Sequence, residues 1–149
     1  MRKRPPKSAQ QGVAIVEFAL ILPLLLLLSF TTTEFGRALY EYETVAKSVR
    51  QAARYLTMQN EGSHTTEGQN LVVYGYTTPP AGARPLARGL TLANVPTPTW
   101  QNAGSGPIIR TVTVTVTNYQ FRSIFTTAFG VNFGTITFAD ITATMRSHM

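Results

Sequence analysis

From Val13 to Phe30 the chain is almost continuously apolar, 18 residues in which Glu17 is the sole charge. After it the pattern becomes periodic. Phe35, Ala38, Tyr42, Val45, Val49, Ala52 and Leu56 recur at steps of 3, 4, 3, 4, 3 and 4. That is the heptad stripe of an amphipathic helix. No strong breaker intervenes before Asn60-Glu61-Gly62-Ser63, so the pattern predicts one helix over 13–57, roughly 65 Å long. Glu34 with Arg37, and Glu43 with Lys47, are spaced for helix-surface pairs. Pro23 removes one backbone N–H from the apolar run. Two readings of it stand: a bend, or a tolerated membrane proline whose freed carbonyl is satisfied by neighbouring groups. A helix this long needs partners. We expect the outer half of the stripe to pack on the chain's own C-terminal domain, and the apolar half to pack on neighbouring subunits.

Beyond Met58 the helical period is lost. Leu71-Val72-Val73-Tyr74-Gly75-Tyr76 reads as a first strand. Thr77 to Asn102, broken by proline and glycine, reads as a long irregular crossing tucked in by Leu86, Leu90, Leu92 and Trp100. The clearest strand is Ile109 to Thr117, with Val112, Val114 and Val116 on one face and threonines on the other. A last strand is expected from Thr135 to Met145, where Ile136 and Phe138 fall on one parity and Ile141, Ala143 and Met145 on the other. A bulge near Ala139-Asp140 would place all five on one side. Phe121, Ile124, Phe125, Ala128 and Phe129 have helical spacing and predict a short amphipathic helix or a hydrophobic loop. Packing into the core is expected; exposure would make it a partner surface or a membrane-touching patch. The tail His148-Met149 reads as a frayed end.

The class is therefore α+β: a long N-terminal transmembrane and amphipathic helix packed on a small, mainly antiparallel β-sheet domain. Three segments are expected. Residues 1–12 form a basic leader, extended over Met1 to Gln11. Residues 13–57 form the helix, with a transmembrane half (13–30) and an amphipathic half (31–57). Residues 58–149 form an extracytoplasmic Thr-rich β domain.

Charge sharpens the membrane reading. The formal net charge is +6, of which Arg2, Lys3, Arg4 and Lys7 supply four before residue 12. The high isoelectric point thus describes a short basic head beside an apolar run and carries no sign of nucleic acid. Eighteen residues just meet the length of a bilayer-spanning helix. Basic residues ahead of it favour a cytoplasmic N-terminus with the rest of a single-pass protein outside. A cleaved signal peptide is the competing reading, but Ser29-Phe30-Thr31 makes a poor cleavage site.

Catalytic chemistry is missing. The chain has no Cys and two His, at 64 and 148, so neither a thiol nucleophile nor a metal-ligand cluster is spelled out. Lys does not occur after Lys47, which excludes a lysine-dependent crosslink or Schiff base in the outer domain. No phosphate loop or nucleophile elbow is present. An enzyme is not expected, nor a cofactor, a metal site, a small-molecule substrate or a nucleic-acid partner.

The N-terminal third resembles the TadE-like family of tight-adherence (Flp, type IVc) pilus proteins. The matching residues are Gly12-Val13-Ala14-Ile15-Val16-Glu17-Phe18-Ala19-Leu20, Leu22-Pro23-Leu24, Glu34-Phe35-Gly36-Arg37-Ala38-Leu39-Tyr40 and Ala52-Ala53-Arg54-Tyr55. The resemblance implies a pilin-like fold and a non-catalytic minor pilin or pseudopilin that helps to initiate or regulate pilus assembly. It implies the inner membrane as the location and a prepilin peptidase cutting Gly12–Val13 there, with major and minor pilins and the assembly platform as further partners. After cutting, Glu17 stands at mature position five, where it can pair with the Val13 ammonium of a neighbouring subunit. A location of Glu17 near the headgroups is the other reading, since five helical residues reach only ~7 Å. Major pilins of this system more often carry Glu-Tyr at the motif; Phe18 points to the TadE-like branch. Two alternatives are an unprocessed single-pass scaffold of the same machine and, more remotely, a surface adhesin.

Overall fold

The computed structural model describes residues 7–124, 127–128, 131–132 and 134–148. Its first element, α1 (Lys7–Leu56), is one helix of 50 residues, about 75 Å at ~1.5 Å per residue, and it runs through Pro23 without interruption. The helix starts before the apolar run, so Lys7 to Gln11 are helical where an extended leader is expected. The stretch Lys7-Ser8-Ala9-Gln10-Gln11 contains no breaker, and the prolines that would stop a helix, Pro5 and Pro6, lie outside the described residues.

The chain divides into two units. One comprises the described residues of Met1–Gly36 and of Ser123–Gly134. It holds the apolar part of α1, whose most apolar window is wholly unburied. It also holds a two-stranded antiparallel pair, β4 (Thr127–Ala128) with β5 (Val131–Asn132). The other unit, Arg37–Arg122 with Thr135–Met149, contains the main core. There the rest of α1 lays Val45, Val49, Ala52, Ala53 and Leu56 against α2 (Thr65–Tyr74) and the sheet.

That sheet has the order β1 (Thr99–Ala103), β2 (Ile109–Val116), β7 (Ile141–Arg146), antiparallel throughout. Alternation in β2 buries Val112, Val114 and Val116. They register opposite Met145, Ala143 and Ile141 of β7. The other face is a threonine grid, with Thr113 and Thr144 hydroxyls 2.8 Å apart. A short pair, β3 (Gln120–Arg122) with β6 (Thr135–Thr137), completes the unit.

Four expectations are corrected here. The strand expected over Leu71 to Tyr76 is the end of α2, closed by Gly75 in the left-handed region at φ 78°. Leu71, Val72 and Val73 are all buried, so no polar face betrays their period. The strand expected over Thr135 to Met145 is two strands, β6 and β7, with Phe138 to Asp140 outside both. The parity change at Asp140 therefore marks a switch between partner strands, not a bulge. Of the residues expected to tuck in the irregular crossing, Leu90 is buried and Trp100 packs at the core's edge. Leu86 and Leu92 remain exposed. The tail is held as far as His148, whose N–H donates to the Thr57 carbonyl, as that of Ser147 does to Arg110; Met149 lies outside the described residues.

The hydrophobic segment around Phe121 is neither a helix nor uniformly packed. Phe121 is buried on β3, Ile124 is exposed, and Ala128 lies in β4. Phe125 and Phe129 lie outside the described residues.

Candidate functional site

Helical spacing puts Val13, Val16, Glu17 and Leu20 on one face of α1, with Gly12 at its upper end. All are exposed, Val13 at 67 %. Phe18 is exposed beside them. A Cβ placed on Gly12 would meet nothing within 4 Å. Among the described residues Glu17 is the one carboxylate on this exposed apolar surface, and the bond Gly12–Val13 lies within the helix.

The polar residues ending the apolar run are satisfied internally. Ser29 Oγ donates to the Leu25 carbonyl at 2.9 Å and Thr31 Oγ1 to Leu27 at 2.8 Å. Thr32 donates to Leu28 and Thr33 to Ser29, both at 2.9 Å. These are i−4 back-bonds, which remove the hydroxyl's demand for an outside partner. By length and composition α1 can cross a membrane.

The next polar residue is Glu34, only 5 % exposed. Its Oε2 accepts from Ser123 Oγ at 2.6 Å and from the Ile124 N–H at 3.2 Å. Two turns on, Glu41 makes a second polar latch. Its Oε2 accepts from Tyr119 Oη at 2.8 Å, and its Oε1 lies 3.6 Å from Arg37 Nη2. The Arg37 guanidinium covers the Phe121 ring at 5.3 Å. Tyr119 is buried and stacks on Phe138, which also meets Tyr42. Burial raises the Tyr119 pKa first, and the neighbouring Glu41 carboxylate raises it further.

The stripe residues Ala38, Val45, Val49, Ala52 and Leu56 are all buried. Phe35 is not: it is 61 % exposed, and Tyr42 lies at the margin at 37 %. The inward positions near the membrane end are Glu34 and Glu41, seven residues apart and in phase with Ala38 and Val45. Apolarity alone passed over them. Their spacing is the signal that could have found them, because a carboxylate in heptad phase with buried residues must meet a donor. Among the described residues no three His, Cys, Asp or Glu converge on a metal-sized site.

The chain thus carries a helix long enough to cross a bilayer, exposed along its most apolar window, followed by two in-phase carboxylates that bind loop residues, Glu34 on Ser123 and Ile124 and Glu41 on Tyr119. Residues 12–54 match the TadE-like protein family. No match is found among curated proteins or solved structures. The TadE-like region runs from Gly12 to Arg54. It takes in Glu17, Phe18, Pro23, both latch carboxylates and the stripe up to Ala52, and it leaves the sheet outside. By length and composition the apolar helix is a candidate membrane anchor.

Proposed function

We propose that the protein is a non-catalytic minor pilin or pseudopilin of a tight-adherence pilus, processed at Gly12–Val13 by a prepilin peptidase. It waits in the inner membrane, crossing once with its N-terminus cytoplasmic, and then joins major and minor pilins at the assembly platform. The observation that carries this reading is the coincidence of the TadE-like match, which starts at Gly12, with a membrane-length apolar window of α1 that is unburied. In this reading Glu17 pairs with the Val13 ammonium of a neighbour. A carboxylate alone in lipid costs several kcal/mol, and the pair offsets that. Pro23 supplies a point of bending, and the apolar half of α1 is the surface that meets other subunits. The Thr-rich sheet faces outward.

One observation favours a second reading, an unprocessed scaffold. The bond Gly12–Val13 sits inside α1, which begins at Lys7, so cleavage requires local unwinding. The test is the intact mass and N-terminus of the protein from native membranes, with and without the peptidase. A start at Val13 that is lost without the peptidase supports the pilin reading. Retention of Arg2 to Gly12 in both strains overturns it in favour of the scaffold.

A further inference from the structure

The segment Ser123 to Gly134 contains no charged residue. It groups with the apolar part of α1, not with the main core. Glu34 fixes where it begins: the carboxylate that holds Ser123 Oγ and the Ile124 N–H is itself a residue of α1, just past the back-bonded hydroxyls. Glu34 lies four residues beyond Phe30, about 6 Å along the helix axis. The interfacial layer on each side of a bilayer is roughly 5–8 Å thick outside its apolar core. Glu34 therefore falls inside that layer when the apolar run spans the core. The Ile124 peptide N, 3.2 Å from the carboxylate, falls at the same depth. Its side chain is 58 % exposed.

Resting on the membrane-anchor reading, we propose that Ile124 is a second membrane contact, set against the lipid interface beside the C-terminal end of the span. The occupant of this exposed apolar position is the lipid surface. The position is level with the headgroups, and the surrounding sequence offers no charge to steer a protein partner. Glu34 acts here as a positioning residue. It spends its buried carboxylate on two donors of the incoming segment, so that a hydrophobic side chain enters the interface without leaving a peptide N–H unpaired.

The chain has no cysteine, so single-cysteine labelling is clean. Full-length Ile124→Cys and Leu24→Cys variants carry an environment-sensitive dye. Each is reconstituted in phosphatidylethanolamine–phosphatidylglycerol vesicles doped with headgroup-nitroxide or deep-chain-nitroxide lipid. The expected result is a blue-shifted dye at position 124, quenched by the headgroup nitroxide, and a dye at position 24 quenched by the deep one. Glu34→Ala should abolish quenching at 124 and leave 24 unchanged; Ser123→Ala is the milder variant should that substitution unfold the protein. Water-like emission at 124 with normal quenching at 24 overturns the inference and leaves the anchor standing. Water-like emission at both positions removes the anchor as well. Concentration-dependent self-quenching at 124 without nitroxide quenching overturns it by assigning the patch to a second copy.

Discussion

Tyr119 shows how one hydroxyl can carry a contact between a helix and the connection from β2 to β3. Its Oη donates to Glu41 and lies 3.3 Å from the Arg88 carbonyl, while its ring is buried. Burial and the Glu41 carboxylate keep it protonated well above its ordinary value of 10.0. Tyr55 is shifted in the same direction, by burial and by its bond to Glu67. Above pH ~10 an unfolded chain releases these protons and the folded chain keeps them. The unfolded state then binds fewer protons, so stability is intact below pH 10 and falls as pH rises from there toward the folded-state values. Tyr119→Phe should cost about 1–3 kcal/mol at neutral pH, because it leaves Glu41 with one donor fewer. It should also flatten the alkaline loss. Urea unfolding followed by circular dichroism at pH 8 and pH 11 measures both effects; an unchanged alkaline slope would remove Tyr119 from this account. The residue scale is where sequence reading was weakest. Glu34 read as a helix-surface charge and Glu41 drew no reading, because their donors, Ser123 and Tyr119, lie 89 and 78 positions away.

Between elements, α2 comes close to α1 at Gly68. A Cβ on Gly68 would lie 2.9 Å from Leu56 Cδ1, and Leu56 is wholly buried with little room to turn aside. Gly68→Val should therefore destabilise the fold by about 1–3 kcal/mol through overpacking, read as a lowered urea midpoint. A midpoint equal to wild type would show that α2 can shift. The elements differed in how plainly the sequence announced them. β2 was legible because three valines alternate with threonines and one face is buried. α2 was not, because its apolar run of Leu71, Val72 and Val73 is short and buried all round; the helical signals sit on either side, in the polar turn Thr65-Thr66-Glu67 and in Gly75. The break between β6 and β7 was visible as a parity change, but its meaning depends on β3, a three-residue strand that sequence alone does not reveal as a partner. The apolar anchor was legible from length and continuity alone.

At the scale of the whole molecule, the anchor and the core draw on different residues. Among the described residues the buried apolar ones begin at Ala38 and none belongs to the membrane-length run. A fragment starting at Arg37 should therefore fold cooperatively as a water-soluble domain, with thermal unfolding by circular dichroism close to that of the full chain in detergent. A broad, non-cooperative transition would mean that the anchor is needed for folding. The same division predicts that Glu17→Gln leaves the unfolding of the sheet domain unchanged. In the pilin reading it loses recovery in sheared fibres, scored by immunoblot; undiminished recovery would remove the charge pair from assembly.

The back-bonded hydroxyls of Ser29, Thr31, Thr32 and Thr33 have a mechanical consequence. Each is already satisfied by a carbonyl of its own helix. Drawing this stretch across the lipid boundary, in either direction, breaks none of those four bonds. In the membrane-anchor reading the helix can ride up or down by about one turn, ~5 Å, against little resistance from its own polar groups. What limits the travel is Glu34 and the segment it holds, a stop at one end of a sliding rod.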